Sequence, residues 1–351
     1  MAFINPPILA LDFTGAANVA DFSVIDGAVR KVILSIIESM VVLPNRYLVK
    51  IDANNDYFKT HLYPLGIVRV TVEKAWGFAE EAKSSAKKFF SKLTRASPDC
   101  YAKVSVGAEE AWQTSVKNNT TRPTWGETHD FVVTDFDQCL KIDVMDQDVG
   151  GDDEVGLAVT TVKDILLAGG RQDLALLRKG EQTDGQVSVA CQFFEFAADG
   201  TSFSASADHK AAGQLRGLVT ILVAGASGIQ GQREELKPSV VVTWGKKHHF
   251  RTVIKTDAPG TDINNPAFDQ NFRIPITADT GAEDFRIALM NGEKEVGGVD
   301  VAYADVVGAP DMTLQHAFDV GGGATVRASI CLRGVRAASM QEKVLPHRQR
   351  Q

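Results

Sequence analysis

No stretch of this chain approaches the roughly 20 consecutive apolar residues that a bilayer-crossing helix needs. VILSIIESMVVL (32–43) comes closest, but it is too short and carries Glu38. It has neither the charged start nor the small-residue cleavage site of a signal peptide, so it reads as a buried helix passing into a strand. Cysteine is scarce: the four residues Cys100, Cys139, Cys191 and Cys331 lie far apart. That spacing excludes a zinc site and a disulfide framework and fits a reducing compartment, where the overlapping sequons at Asn118 and Asn119 carry no weight. An excess of positive charge is also missing. At a net −7 the chain has no general attraction to nucleic acid or anionic lipid, so any such binding must come from local basic patches. Absent too are a glycine-rich phosphate loop, a nucleophile elbow and a metalloprotease helix, and no domain-sized segment remains to hold a catalytic site. The sequence therefore predicts a protein that is not an enzyme.

What is present after about residue 66 is a series of short alternating runs separated by Gly, Pro, Asn and Asp: GIVRVTVEKA, YAKVSVG, HDFVVTDF, LKIDVMD and GQVSVACQFFEF. Alternation of this kind is the signature of an antiparallel sandwich. The small, polar, aperiodic stretch ADGTSFSASADHKAAGQ (198–214) reads as a linker, and a second series follows it: GLVTILVAGA, PSVVVTWG, NFRIPI, FRIALMNG, GGVDVAYADV and ATVRASICL. The two series match in order. Gly66 corresponds to Gly217, Gly107 to Gly245, RPTWGETHDF to NPAFDQNFRI with Trp125 on Phe268, LKIDVMDQD to FRIALMNGE, and the EVG ending at Gly156 to the EVG ending at Gly297. One sandwich duplicated in tandem explains all five.

The densest charge lies in MDQDVGGDDEVG (145–156), where Asp146, Asp148, Asp152, Asp153 and Glu154 crowd nine positions without a Lys or Arg. Such a cluster is either a solvated turn or a cage awaiting a cation. Nearby, in AEEAKSSAKKFFSKLTRA (79–96), Ala82, Ala86, Phe89, Phe90 and Leu93 recur at helical spacing among Lys83, Lys87, Lys88, Lys92 and Arg95. This is a short basic amphipathic helix. It either packs its Phe pair on the sandwich or enters a membrane, where each Lys adds about 1 kcal/mol near an anionic leaflet and a buried Phe ~1.5–3 kcal/mol.

In their order and spacing, GIVRVTVEKA, PDCYAKV, RPTWGE and VMDQD…DDEVG resemble the strands and loops of C2 domains. The resemblance covers about 66–197 well and 214–336 more loosely. Upstream, PPILALDFTGAANV…VLPNRYLVKID, joined to YPLGIVRVTV, resembles the C-terminal end of the lipid-transferring SMP domain and its junction with the first C2 domain in extended synaptotagmins, tricalbins and plant synaptotagmins. The fold this implies is mainly β, two tandem C2-type antiparallel sandwiches preceded by a short α+β remnant of an SMP domain. The expected divisions are an SMP-like part at 1–52, a first C2 domain at 60–197, a linker at 198–213, a second C2 domain at 214–336 and a flexible tail at 337–351.

By motif position, the resemblance implies Ca2+ ligands at Asp146, Asp148 and Asp153 in loop 3 and at Asp99 in loop 1. The family's earlier loop-1 carboxylate has no counterpart in AKKFFSKLTRAS (86–97), so a weak site, of about 10⁻⁴ M, is expected. In the second domain the aligned residues are Lys237, Asn291, Glu293 and Lys294, which implies no calcium there. WGKKHHFRTVIK (244–255) resembles the basic strand with which C2 domains bind phosphoinositides, with Lys246, Lys247, Arg251 and Lys255 expected along one strand. The lipid-binding set expected from the sequence thus comprises these four residues with Lys87, Lys88, Phe89, Phe90 and Lys92.

The function implied is docking on anionic phospholipid membranes within a lipid-transfer and tethering protein. Its expected place is peripheral on membranes, at contacts between endoplasmic reticulum and plasma membrane, with homodimerisation through a complete SMP domain and no nucleic-acid partner. Two rivals remain at this point: a C2-based protein-binding scaffold, and a regulatory fragment of a larger C2-containing enzyme.

Overall fold

The computed structural model describes residues 2–9, 22–43, 45–46, 56–77, 97–148, 151–178, 180–198, 215–277 and 280–338. They are mainly β, in two compact units. In the first unit the strands are β1 (Gly66–Trp76), β2 (Cys100–Val106), β3 (Trp112–Gln113), β4 (Thr124–Val133), β5 (Cys139–Asp146), β6 (Asp153–Thr161), β7 (Arg171–Arg178) and β8 (Glu181–Ala197). They pair antiparallel in the order β4-β1-β8-β7 and β6-β5-β2-β3, with the single rung Leu157↔Leu177 joining the two layers. The second unit holds β9 (Gly217–Ser227), β10 (Pro238–Trp244), β11 (His248–Arg251), β12 (Ala267–Ile276), β13 (Phe285–Asn291), β14 (Lys294–Val301), β15 (Thr313–Gly321) and β16 (Ala324–Ala337). Its layers, β12-β9-β16-β15 and β11-β10-β13-β14, repeat the first unit strand for strand.

Period-two patterning explains both sandwiches, because alternate side chains of a strand leave on opposite faces. Val68, Val70 and Val72 of β1 face Ala102, Val104, Leu140, Ile142 and Val144, all fully buried. Val219, Ile221 and Val223 take the same places over Val240, Val242, Ile287 and Leu289. Helix α3 (Val162–Leu167), capped by the Thr161 hydroxyl, closes one end of the first core with Val162 and Ile165.

The paired EVG motifs have a steric cause. A Cβ on Gly156 would meet the Leu176 Cβ at 2.9 Å, and one on Gly297 would meet the Val320 carbonyl oxygen at 2.0 Å. Both glycines let one layer approach the other. Gly297→Ala should therefore lower stability by about 1–3 kcal/mol, read as a fall in the melting temperature of the second unit.

Helix α1 (Phe22–Val41) corrects one expectation. Val32, Ile36 and Met40, four residues apart, are 60%, 53% and 52% exposed, so this segment is not a buried helix. An i, i+4, i+8 stripe faces one side of a helix, and here that side is open among the described residues. Among the described residues no strand follows it; Val42 makes an isolated parallel bridge with Phe3. No described helix is long and apolar enough to cross a membrane.

The short helix α2 (Tyr57–Thr60) belongs with the second unit, not with the strand that follows it in the chain. Tyr57 and Phe58 are buried, the Arg327 guanidinium lies 4.9 Å over the Phe58 ring, and it makes an ion pair with Asp56, the N-cap of that helix.

Candidate functional site

The expected cation ligands lie at one end of the first unit because two strand registers put them there. Cys100, directly after Asp99, pairs with Asp146 across β2 and β5, and Asp146 pairs with Asp153 across β5 and β6. Asp148 follows β5 in the same connection. The Asp99 N–H donates to Asp146 Oδ1 at 2.7 Å, and Asp99 Oδ1 accepts the N–H of Asn119, whose φ is +58°, also at 2.7 Å. Burial first, then the charges of Asp146 and Asp99, push the Cys100 thiol up to about 12. Both carboxylates therefore act on the same buried rung of the sheet.

Asp152 has a different task. Its Oδ2 accepts the Tyr101 hydroxyl at 2.6 Å and its Oδ1 the Asp148 N–H at 3.3 Å, which braces the turn that carries Asp148. All-oxygen donors from two loops fit a hard divalent cation such as calcium, which takes 6–8 oxygens. Among the described residues, however, no three or more His, Cys, Asp or Glu converge into a ready metal cage. Lys87, Lys88, Phe89, Phe90 and Lys92 lie outside the described residues.

The second unit reproduces three hydrogen bonds of this end. Lys237 N–H donates to Asn291 Oδ1 at 2.7 Å, matching Asp99 on Asp146. Gly292 N–H reaches the Lys237 carbonyl at 2.9 Å, as Gln147 N–H reaches that of Asp99. Val240 N–H donates to the Thr252 hydroxyl at 2.9 Å, as Ala102 N–H does to that of Thr114. Asn291 pairs with Lys294 where Asp146 pairs with Asp153, so the two-residue turn Gly292-Glu293 replaces the loop 147–152. Glu293 is also engaged: Arg251 donates to both its oxygens, at 2.8 and 3.1 Å.

That bond changes the expected basic strand. β11 covers only His248–Arg251; Lys246 and Lys247 precede it, in a turn opened by Gly245 at φ +56°. Lys255 lies past its other end, with its N–H on the Pro238 carbonyl. The three lysines and Arg251 thus do not line one strand, and the Arg251 guanidinium is directed to Ser239, Glu293 and Gly292. Around Trp244, Lys247, His248, Pro275, Thr277 and Glu283 there is an open depression of about 360 Å³.

Sequence reading missed Glu127 and its counterpart. In the first unit Glu127 accepts the Ser115 N–H and hydroxyl and pairs with Lys117 at 3.5 Å. In the second, Gln270 accepts the Val253 N–H at 2.6 Å in the same way. The aligned segments TWGE and AFDQ held that exchange.

Two eight-stranded sandwiches of matching topology define a tandem C2 protein. The C2 domain family matches residues 66–177 and 217–319, and the chain belongs to that family. Extended synaptotagmin-1 of Rattus norvegicus is 29% identical over 202 residues, covering 57% of this chain and 18% of the relative. Among solved structures, the SMP-C2A-C2B domains of extended synaptotagmin 2 are similar with a TM-score of 0.63 at 20% identity, covering 96% of this chain and 71% of that one. The calcium-bound C2A and C2B domains of extended synaptotagmin 2 give 0.61 at 19%, covering 79% of this chain and 99% of that one. At these identities the structures establish the fold. The match to the curated relative spans less than a fifth of its length. The resemblance to extended synaptotagmins read from the sequence is borne out by these relatives.

Proposed function

We propose that this chain docks on anionic phospholipid membranes, with calcium held in its first C2 domain by Asp99, Asp146, Asp148 and Asp153, and without calcium in its second. The observation that carries the reading is the contrast between two ends of matching strand register. One sets Asp146 opposite Asp153 with Asp99 directly before β2, and the other sets Asn291 opposite Lys294 with Lys237 directly before β10. A sandwich that folds with either set does not need the acidic set for folding. Asp99, Asp146, Asp148 and Asp153 would hold the ion, which would supply positive charge against their mutual repulsion and attract a lipid phosphate. The chain's own part is to hold the oxygens near one another: Asn119 fixes Asp99, Asp99 fixes Asp146, and Tyr101 through Asp152 fixes the turn bearing Asp148.

The same reading places the chain in a lipid-transfer and tethering protein of the extended synaptotagmin kind, peripheral on membranes at endoplasmic reticulum–plasma membrane contacts. The segment at 1–52 resembles the C-terminal end of a lipid-transferring SMP domain, and a complete SMP domain would carry the homodimer contact. Lys246 and Lys247, on the turn before β11, remain candidates for a phosphoinositide headgroup, and Lys87, Lys88, Phe89, Phe90 and Lys92 for insertion beside the first domain. Flotation of the full chain with phosphatidylserine-containing vesicles tests the docking reading. Attachment that rises with calcium and persists in part in chelator is expected, and no attachment in either condition would end the proposal.

A further inference from the structure

The outer face of β9 and β16 in the second unit carries an occupant that its fold does not require. Arg327 of β16 pairs across the sheet with Gly225 of β9 and Ala317 of β15. Neither neighbour has a side chain past Cβ, so neither covers the guanidinium, whose partners among the described residues all lie in α2 and its cap. Asp56 Oδ1 accepts the Phe58 N–H at 3.2 Å as the N-cap of that helix and pairs with Arg327 as well. The same guanidinium lies 4.9 Å from the centre of the Phe58 ring. One cation thus holds a carboxylate and an aromatic face two residues apart. Beside them Tyr57 is buried, with its ring edge-on to His61 at 6.1 Å, and Lys59 is exposed.

At the same register the first unit has Ser188, paired with Lys74 of β1 and Asp173 of β7, and the Ser188 hydroxyl donates to Glu73 at 2.9 Å. A sandwich of this topology therefore forms without an arginine at this place. Helix α2 in turn has no order of its own. It is a single turn of four residues, and such a turn does not persist in water, because nucleating a helix costs more than one turn returns. It is helical because the surface holds it. Two buried rings and a partly exposed ion pair favour docking, the ordering of the backbone at 56–60 opposes it, and the two sides are of similar size. Docked and released states therefore lie close in free energy.

We propose that the Arg327 face of the second sandwich is a receptor surface for a short helix whose N-cap carboxylate is followed two residues later by an aromatic ring. Its occupant is the chain's own Asp56-Tyr57-Phe58 segment, which acts as a releasable latch on the connector between the segment at 1–52 and the first sandwich. Docking removes the freedom of that connector at 56–60, and release restores it. The guanidinium reads both features of the occupant at once, since its edge takes a carboxylate and its plane lies against a ring. Neither calcium nor membrane attachment enters this inference.

Hydrogen exchange of the full chain, followed by mass spectrometry, tests the contact, and a peptide added in trans tests whether it releases. Arg327→Ala should speed exchange of the amides at 57–61 by about 10-fold, the combined effect of one exposed cation–π contact and one exposed ion pair. Trypsin should cut after Lys59 faster by a similar factor. Arg327→Lys, which keeps the charge and loses the flat ring contact, should fall between the two. A fluorescein-labelled peptide of residues 52–61 should bind the Phe58→Ser chain about 10-fold more tightly than wild type, whose own segment fills the surface. Adding Arg327→Ala to Phe58→Ser should weaken that binding by about the same factor. Exchange at 57–61 as fast as in the free peptide overturns the proposal, as does protection that Arg327→Ala leaves unchanged. Protection that depends on Arg327 without any binding of the peptide in trans marks a fixed contact and overturns the latch. Unchanged exchange in β9 and β16 excludes misfolding; where Arg327→Ala loosens those strands, Asp56→Ala, outside the sandwich, gives the same reading.

Discussion

Replacing Asp146 and Asp148 together by asparagine abolishes the heat of calcium binding to the full chain and the calcium-dependent part of its attachment to anionic vesicles. The fold tolerates the change, and the second domain says why. Asp146 Oδ1 receives the Asp99 N–H at 2.7 Å, and Asn291 Oδ1 receives the Lys237 N–H at the same distance. An amide therefore keeps the bond that ties β5 to the start of β2. What it loses is charge. Near a protein surface a unit charge at contact distance is worth about 4 kcal/mol at an effective dielectric of 20, so two lost carboxylates lower a weak affinity by well over 100-fold. In chelator the variant should stay within about 0.5 kcal/mol of wild type, as expected for substitutions outside the core. Identical heats for the two proteins would remove calcium from the first domain, while equal loss of the chelator-resistant binding would point to misfolding.

Much of this was open to sequence reading because the sandwich is written in a short-range code. Alternation in CYAKVSV and PSVVVTW predicts two strands with one face inside, and the two show nearly the same burial along their length. The acidic end was read another way, from the resemblance of PDCYAKV and VMDQD…DDEVG to C2 loops, and the pairing of Cys100 with Asp146 and of Asp146 with Asp153 brings those segments to one end. The misplaced features depend on contacts far apart in the chain. WGKKHHFRTVIK looks like one basic strand, but Gly245 opens a turn at its start and the Thr252 hydroxyl takes the Val240 N–H at its end, leaving four residues in the ladder. Arg251 was expected to face lipid, yet Glu293, 42 positions later, holds it. The helix at 57–60 is bound by Arg327, 271 positions from Asp56, which no local pattern records. The exposed stripe of α1 was missed because apolar composition was taken as burial; composition gives the residues, and only neighbours decide whether they are covered.

Asp130→Ala should be the most destabilising single polar substitution argued for the first domain, at about 3–5 kcal/mol. Arg69 and Asp130 face each other across β1 and β4, with Nε on Oδ1 and NH2 on Oδ2, both at 2.8 Å, and their side chains are 12% and 3% exposed. The guanidinium also lies 4.7 Å over the Phe194 ring. Truncating the carboxylate strips a buried cation of its bidentate partner, whereas removing both charges need not cost much, since a buried pair offsets its own desolvation only in part. The duplication supports that asymmetry: the facing residues in the second domain are Thr220 and Arg273, and its sandwich forms without the pair. Arg69→Met with Asp130→Leu should accordingly regain more than half of what Asp130→Ala loses, measured by urea denaturation. A single-variant loss below about 1 kcal/mol, the range of an exposed ion pair, would show that the pair behaves as a surface contact. Because β1 leads into the loop ending at Asp99 and β4 begins beside the loop carrying Asn119, loosening this rung should also weaken calcium binding in the Ala variant, and the double variant should restore it with the stability.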